Sequence, residues 1–381
     1  MDLKLDVEEL IKLRHHLHAN AEVSNQEEKT AKIIVEFLER FKPDQLWENV
    51  GGYGVIALFK GKGEGKNIGF RADLDALHIA ETLDLEYASK TPHTAHKCGH
   101  DGHMTMVAGI AAYLKDNPVE RGNVYLVFQP AEETGEGAAR INKGLKELDI
   151  QLDYLFGLHN IVGYPKGQIL TKKGTFAAAS RGMVIKLFGK TSHAAEPEYG
   201  ISPVMAMAEI TTKMTFVHIT LPFSDLTLAT VIHSELGEIA FGTSPGYGEV
   251  RITLRAMKDE DMQTLIDFAE NLVKEQAQKE QLEYEISYTE TFPSTENTEE
   301  AFQIIKDAGE IAKVEFRELE KPFKWSEDFG QYKLQMKTGF FGIGSGENTP
   351  HLHDETYDFP DDIILSGVKM YAGLIQYFKL N

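Results

Sequence analysis

The stretch HKCGHDGHM, residues 96–104, gathers three histidines, an aspartate and the chain's single cysteine within nine positions. Thiolate, imidazole and carboxylate are the donors that hold zinc-like cations. Further donors stand far off in the sequence: Glu132 and Glu133 in QPAEETGEGA, His159 in GLHN, and His351 and His353 in PHLHDETYDF. Two four-coordinate ions need about eight metal–ligand bonds. A bridging Cys98 thiolate supplies two, His100, Glu133, His159 and His353 one each, and a bridging water the last two. On a metal ion the pKa of water falls from 15.7 towards about 7, which makes that water the reactive species. Two dications facing one thiolate and one carboxylate keep a net positive charge, able to hold hydroxide and polarise a carbonyl. In an extended segment Glu132 points away from its neighbour Glu133. It is then free to act as general base and to carry the proton to a leaving amine.

Plainer readings compete at each position. Cys98 could be a buried hydrophobe, or the nucleophile of a cysteine hydrolase with its pKa lowered at a helix N-terminus. The two glutamates could be a solvated turn, His159 a core residue at a strand end, and His353 part of a surface loop. The metal reading rests on all of them standing where strands end. Asp73 shares a strand face with Arg71 and Asp75 and is expected to orient a ligand from behind, as are Asp101 and His103. Of Arg251 and Arg255, Arg255 is the candidate for holding a substrate carboxylate, with surface ion pairing as the alternative. His15, His16 and His18 repeat along a helix and read as structural. GKGEGK and GIGSGEN lack phosphate-loop spacing and read as turns.

The elements that must position these residues alternate. GVIALFKG (54–61), NIGFRADLDAL (67–77), NVYLVFQP (123–130) and LDYLFGLHN (152–160) read as strands. HMTMVAGIAAYLKDN (103–117) repeats its apolar residues at helical spacing. Such alternation predicts an α/β domain with a mostly parallel sheet, whose strand C-terminal ends line the ligand crevice. From about Ser180 the pattern changes to alternating strands (RGMVIKLFGKT, GYGEVRITLRAMK) and amphipathic helices (SPVMAMAEITTKMTF, EDMQTLIDFAENLVKEQAQ). After TETFPSTENTEE the first pattern returns. The expected plan is a catalytic domain in two parts, 1–179 and 291–381, interrupted by an inserted α+β domain, 180–290.

Composition narrows the classes. The chain has 381 residues, 42% hydrophobic and 26% charged, which suits a globular protein with more than one core. A net charge of −20 disfavours nucleic acid as a partner. No apolar run reaches the ~18 residues of a membrane span. The N-terminal segment reads as an amphipathic helix rather than a signal peptide, and one cysteine cannot form an internal disulfide, so the cytoplasm is the expected compartment.

These blocks, in this order, resemble the M20 metallopeptidase and amidohydrolase family, in its aminoacylase, hippurate-hydrolase and auxin-conjugate-hydrolase branch. The resemblance runs over nearly the whole chain: LRHHLHANAEVSNQEEKTA, RADLDAL, HKCGHDGHM, QPAEETGEGA, GLHN, GKTSHAAEPEYGISPV, WSEDFG and PHLHDETYDFPDD. It implies a zinc-peptidase-like fold, two divalent ions (Zn2+ or Mn2+, with Co2+ or Ni2+ as further options), Cys98, His100, Glu133, His159 and His353 as ligands, and Glu132 as base. It also implies a homodimer built through the inserted lid, with His193 reaching the active site of the partner subunit to stabilise an oxyanion. The implied reaction is hydrolysis of the amide bond of an N-acyl amino acid or a peptide-like substrate. A dipeptidase or carboxypeptidase of the same family, or a metal-binding homologue without catalysis, are the alternatives. Three places depart from the family pattern. Gly242 stands where the lid carries an asparagine that touches substrate, His78 replaces a proline, and Asp354 and Glu355 follow the ligand histidine. Together they imply a divergent subgroup with an unusual substrate.

Overall fold

The computed structural model describes residues 3–381. The chain forms two compact units. The first takes the chain through Phe176, then Thr295–Pro322 and Asp328–Asn381; the second takes Ala177–Ser294 and Phe323–Glu327.

The first unit is a mixed α/β layer structure. Its eight-stranded sheet runs in the order Gln45–Val50, Gly54–Lys60, Arg121–Gln129, Gly63–Asp73, Tyr154–Val162, Lys337–Gly346, Ile169–Thr171, Phe316–Glu318. The central neighbours pair in parallel: Gly63–Asp73 with both Arg121–Gln129 and Tyr154–Val162, and Tyr154–Val162 with Lys337–Gly346. The outer pair Gln45–Val50 and Gly54–Lys60 is antiparallel. Arg121–Gln129, Tyr154–Val162 and the second half of Gly63–Asp73 are buried on both faces, as parallel strands under helices must be. Helix His100–Asp116 is buried on nearly every side. Helices Val7–Ala19 and Ile364–Tyr377 pack on it, and Ile364–Tyr377 also packs on Glu299–Ala312.

That central helix begins at His100, three residues before the sequence pattern places it. Its N-cap is Gly99, with a positive φ of 95°, where a Cβ would lie 2.5 Å from the Asn160 side-chain oxygen. Only glycine takes this turn, and the turn aims Cys98 and His100 at the strand that carries His159. At Gly102 a Cβ would strike the Phe359 ring at 2.3 Å, so this close helix contact also requires glycine.

The second unit is a four-stranded antiparallel sheet in the order Thr227–Leu236, Tyr247–Ala256, Ala179–Phe188, Glu283–Phe292. Alternate residues Met183, Ile185 and Leu187, and Val250, Ile252 and Leu254, turn inward. They bury against helices Val204–Thr215 and Asp259–Lys279 through Met207, Ile210, Leu265 and Ala269. A two-stranded ribbon pairs Ser192–His193 with Thr243–Ser244. Among the described residues no helix is long and apolar enough to cross a membrane.

Candidate metal centre

The donors of the first unit arrive from separate elements. Cys98 and His100 sit at the N-terminus of the buried helix. Glu132 and Glu133 lie in the turn after Arg121–Gln129, a tight turn closed by the Gly135 N–H on the Glu132 carbonyl (2.7 Å). The extended geometry expected there gives way because Ala131 takes a positive φ of 53°. His159 lies within Tyr154–Val162 rather than at its end. His353 follows the strand Lys337–Gly346 on a loop.

Their donor atoms meet. Cys98 Sγ is 3.4 Å from His159 Nε2. His100 Nε2 is 3.8 Å from Glu133 Oε1 and 4.0 Å from Glu132 Oε2. His353 Nε2 is 3.8 Å from the same Glu133 oxygen. Among the described residues five triads have ligand atoms within 4.8 Å of one another: Cys98–His100–His159, Cys98–Glu133–His353, His100–Glu132–Glu133, Asp73–His100–His103 and, on the far side of Glu132, Glu132–Glu327–Asp328. The first two share the sulfur.

Three observations fit this set to cations. Ligand atoms about 2.0–2.3 Å from a tetrahedral ion stand about 3.3–3.8 Å apart, the spacing found here. His100 Nε2 and Glu133 Oε1 are buried and find no hydrogen-bond partner among the described residues, a costly arrangement unless something positive sits between them. Burial and the Glu133 charge push the Cys98 thiol up to about 12, and burial lifts Glu133 to about 7. A nearby dication would bring both down into their anionic, ligating forms.

The ring orientations are set by main-chain oxygens. His100 Nδ1 donates to the Asp75 carbonyl (2.8 Å), and His159 Nδ1 to the Asn160 carbonyl (2.9 Å). Each bond leaves Nε2 facing the cluster. Asp75 also takes the Glu133 N–H (3.0 Å) on its carboxylate. Glu132 is buried; its Oε1 accepts the Asp328 N–H at 3.3 Å, and the Asp328 carboxylate is held by Arg71, Gln129 and the Ala138 N–H.

The residues expected behind the ligands take distinct places. Asp73 pairs with Arg71 and stands 3.3 Å from His103 Nδ1. His103 Nε2 donates to the Asn160 side-chain oxygen at 2.5 Å, and the His103 ring packs edge-on against His159. Asp101 faces the N-terminal helix, bonded to Arg14 (3.1 Å) and His18 (2.9 Å). Burial alone would raise the Asp101 pKa, but His18 and Arg14 hold it well below the carboxylate range. In return, Asp101 and Glu81 lift His18 to about 9 against its burial.

His193 and Arg255 belong to the second unit. His193 is exposed on its ribbon, and its Nδ1 accepts the Ala195 N–H at 3.0 Å. The neutral ring therefore carries its proton on Nε2. Gly242 lies beside it, with its carbonyl on the Ala194 N–H, and a Cβ there would meet open space. Arg255 bonds to the Lys324 carbonyl and to Ser326 Oγ (2.8 Å), and burial lowers its pKa.

Sequence reasoning missed Asp75, Asn160, Asp328, Lys97 and Arg14, and read His18 as structural only. A signal existed for two of them. Arg14 and His18 fall four apart on the helix face of Leu10 and Leu17, and ionisable groups on a buried face need partners.

Fold and donors together define a hydrolase-type α/β chain with a dinuclear-scale metal cluster. Residues 69–377 match the family model described as peptidase family M20/M25/M40, and the chain belongs to that family. It is 32% identical over 379 residues to a hippurate hydrolase of Campylobacter jejuni, covering 97% of both chains. It is 29% identical to an IAA-amino acid hydrolase of Arabidopsis thaliana, covering 98% of this chain and 86% of the other. Among solved structures it is similar to the YXEP protein of Bacillus subtilis, described as a dinuclear metal-binding peptidase of the M20 family, with a TM-score of 0.83, 25% identity and coverage of 98% and 99%.

Proposed function

We propose that this chain is a metal-dependent amidohydrolase that cleaves the amide bond of N-acyl amino acids or related conjugates. The observation that carries this reading is the pair of donor triads sharing Cys98, with the Glu132 carboxylate beside them. The hippurate and IAA-amino acid hydrolases among its relatives support the amide substrate, and the Bacillus subtilis structure supports two ions.

Cys98, His100, Glu133, His159 and His353 are the residues that would hold two divalent ions, zinc or manganese, with cobalt and nickel also suited to this donor set. Bound there, the ions supply a lowered pKa for water and a polarised amide carbonyl. Glu132 takes the proton of the attacking water. Its Oε1 is fixed by the Asp328 N–H, so its Oε2 is the oxygen turned towards His100 and the other donors. It then delivers that proton to the leaving nitrogen as the C–N bond breaks, and the amine departs neutral. His193 of the partner subunit donates a hydrogen bond from its Nε2–H to the oxyanion and keeps its proton. The second unit is read as the lid and dimerisation domain. Support comes from its outer strand Thr227–Leu236, which leaves Ile232 and Leu236 exposed, and from Ile239 and Phe241 exposed beyond it. The compartment that goes with a lone cysteine is the cytoplasm.

The test is to remove divalent ions with a chelator, add single metals back, and assay N-acetyl and N-benzoyl amino acids against dipeptides. Activity on the acyl amino acids, lost and regained with metal, is the expected result. Preference for dipeptides would move the chain to the peptidase side of its family. Full activity without metal would overturn the reading in favour of a Cys98 nucleophile.

A further inference from the structure

Lys97 separates His96 from Cys98, and nothing in the reaction above uses it. Yet its side chain is fully buried. The ammonium lies 2.7 Å from Glu81 Oε1 and donates to the Tyr357 carbonyl at 2.9 Å. Its own main-chain carbonyl accepts the His353 N–H, also at 2.9 Å. One residue of the metal loop therefore grips the segment 353–357 twice, once at the candidate ligand and once four residues beyond it.

That segment needs such a grip. His353 has a positive φ of 68°, a conformation that costs a non-glycine residue on the order of 1 kcal/mol or more and persists only when its surroundings impose it. Its imidazole is half exposed, unlike those of His100 and His159. No helix or strand carries it. The alternative, that Lys97 merely fills space, fits its cost poorly. A buried ammonium is unfavourable unless it is paired and fully bonded, and here the pairing is elaborate. Glu81 is itself fixed by His18 Nε2 at 2.8 Å, and its hydrogen bonds with His18 and Lys97 hold it at about 2 despite burial. An apolar side chain of similar length would fill the same volume without that apparatus.

We propose that Lys97 is a positioning residue that latches the His353 segment onto the metal loop, and so sets the affinity of one of the two ions. The inference rests on the ligand set proposed above. His353 belongs to the triad with Cys98 and Glu133, whereas the triad Cys98–His100–His159 draws no donor from the segment. Loss of the latch therefore weakens one ion selectively. Partners of this kind are worth roughly 10–100-fold in metal affinity when removed.

The experiment is a titration of metal-free wild-type and Lys97→Met protein with Zn2+ by calorimetry, and with Co2+ by its thiolate absorption band, with bound metal counted by elemental analysis. Wild type should take two ions. Lys97→Met should keep one at wild-type affinity, with the cobalt–thiolate band that the first equivalent gives in wild type, and bind the second, with its share of the band, 10–100-fold more weakly. His353→Ala should show the same pattern, and the double variant should lose little more than His353→Ala alone. Should Lys97→Met fail to fold, Lys97→Gln, which keeps a donor on a shorter arm, carries the same comparison with a smaller loss. Two ions bound at wild-type affinity, or both weakened equally, would overturn the latch while the metal reading stands. A wild-type chain that takes up fewer than two ions overturns the metal reading, and the latch with it.

Discussion

His159 in the first unit and His193 in the second are held in opposite ways. His159 is 5% exposed, with Nδ1 on the Asn160 carbonyl, Nε2 beside the Cys98 sulfur, and the His103 ring against its side. His193 is exposed at the end of a two-residue strand, and a local N–H fixes its tautomer without packing its ring. The contrast extends to the surroundings. The donors of the first unit stand on a chain of buried charges: Arg14, Asp101, His18, Glu81 and Lys97. The second unit presents Ile239 and Phe241 fully to solvent. A prearranged cluster can bind ions before substrate arrives. An unrestrained histidine can act only on something brought to it, and changing it should cost chemistry and leave stability alone.

Three experiments would break or sharpen this contrast. Glu132→Ala should show the largest effect. Turnover should fall by about 10²–10⁴ while two ions remain bound, because Glu132 is not one of the proposed ligands. Activity within about threefold of wild type would remove Glu132 from the mechanism. His193→Ala comes next, with an expected loss of about 10²–10³ in kcat and no change in unfolding free energy beyond the few tenths of a kcal/mol typical of surface changes, hence almost none in melting temperature. A clear drop in melting temperature would mean that His193 is structural after all.

The smallest effect concerns the buried chain of charges. His18 rises from 6.5 to about 9 on folding. A raised pKa stabilises fully below the unfolded value and ceases to do so as pH passes through the folded one. Between pH 7 and pH 9 this contribution should therefore shrink by about 2 kcal/mol. Glu81 and Asp101 act in the opposite sense: their depressed pKa values stabilise above the ordinary carboxylate range and lose that effect only in acid. In urea unfolding at both pH values, the stability gap between wild type and His18→Gln should narrow by that amount on going to pH 9. A gap independent of pH would mean that His18 does not change its charge between the two.

Much of this protein could be read along the chain. The unbroken apolar run GVIALFK marks a strand buried on both faces, and the apolar residues at helical spacing after His100 mark a buried helix. Donor types and their places after strands pointed to Cys98, His100, Glu133, His159 and His353, since only a few side chains can ligate a cation. The tertiary structure alone decided how those donors are aimed. The oxygens that turn His100 and His159 are the main-chain carbonyls of Asp75 and Asn160. Every residue has such a carbonyl, so no letter of the sequence marks these two. Likewise Lys97 looks like any lysine until Glu81 and the Tyr357 carbonyl close around it from positions 16 and 260 residues away. Burial of a charge is a property of the assembled neighbours, and those neighbours meet only when the sheet brings its strand ends together.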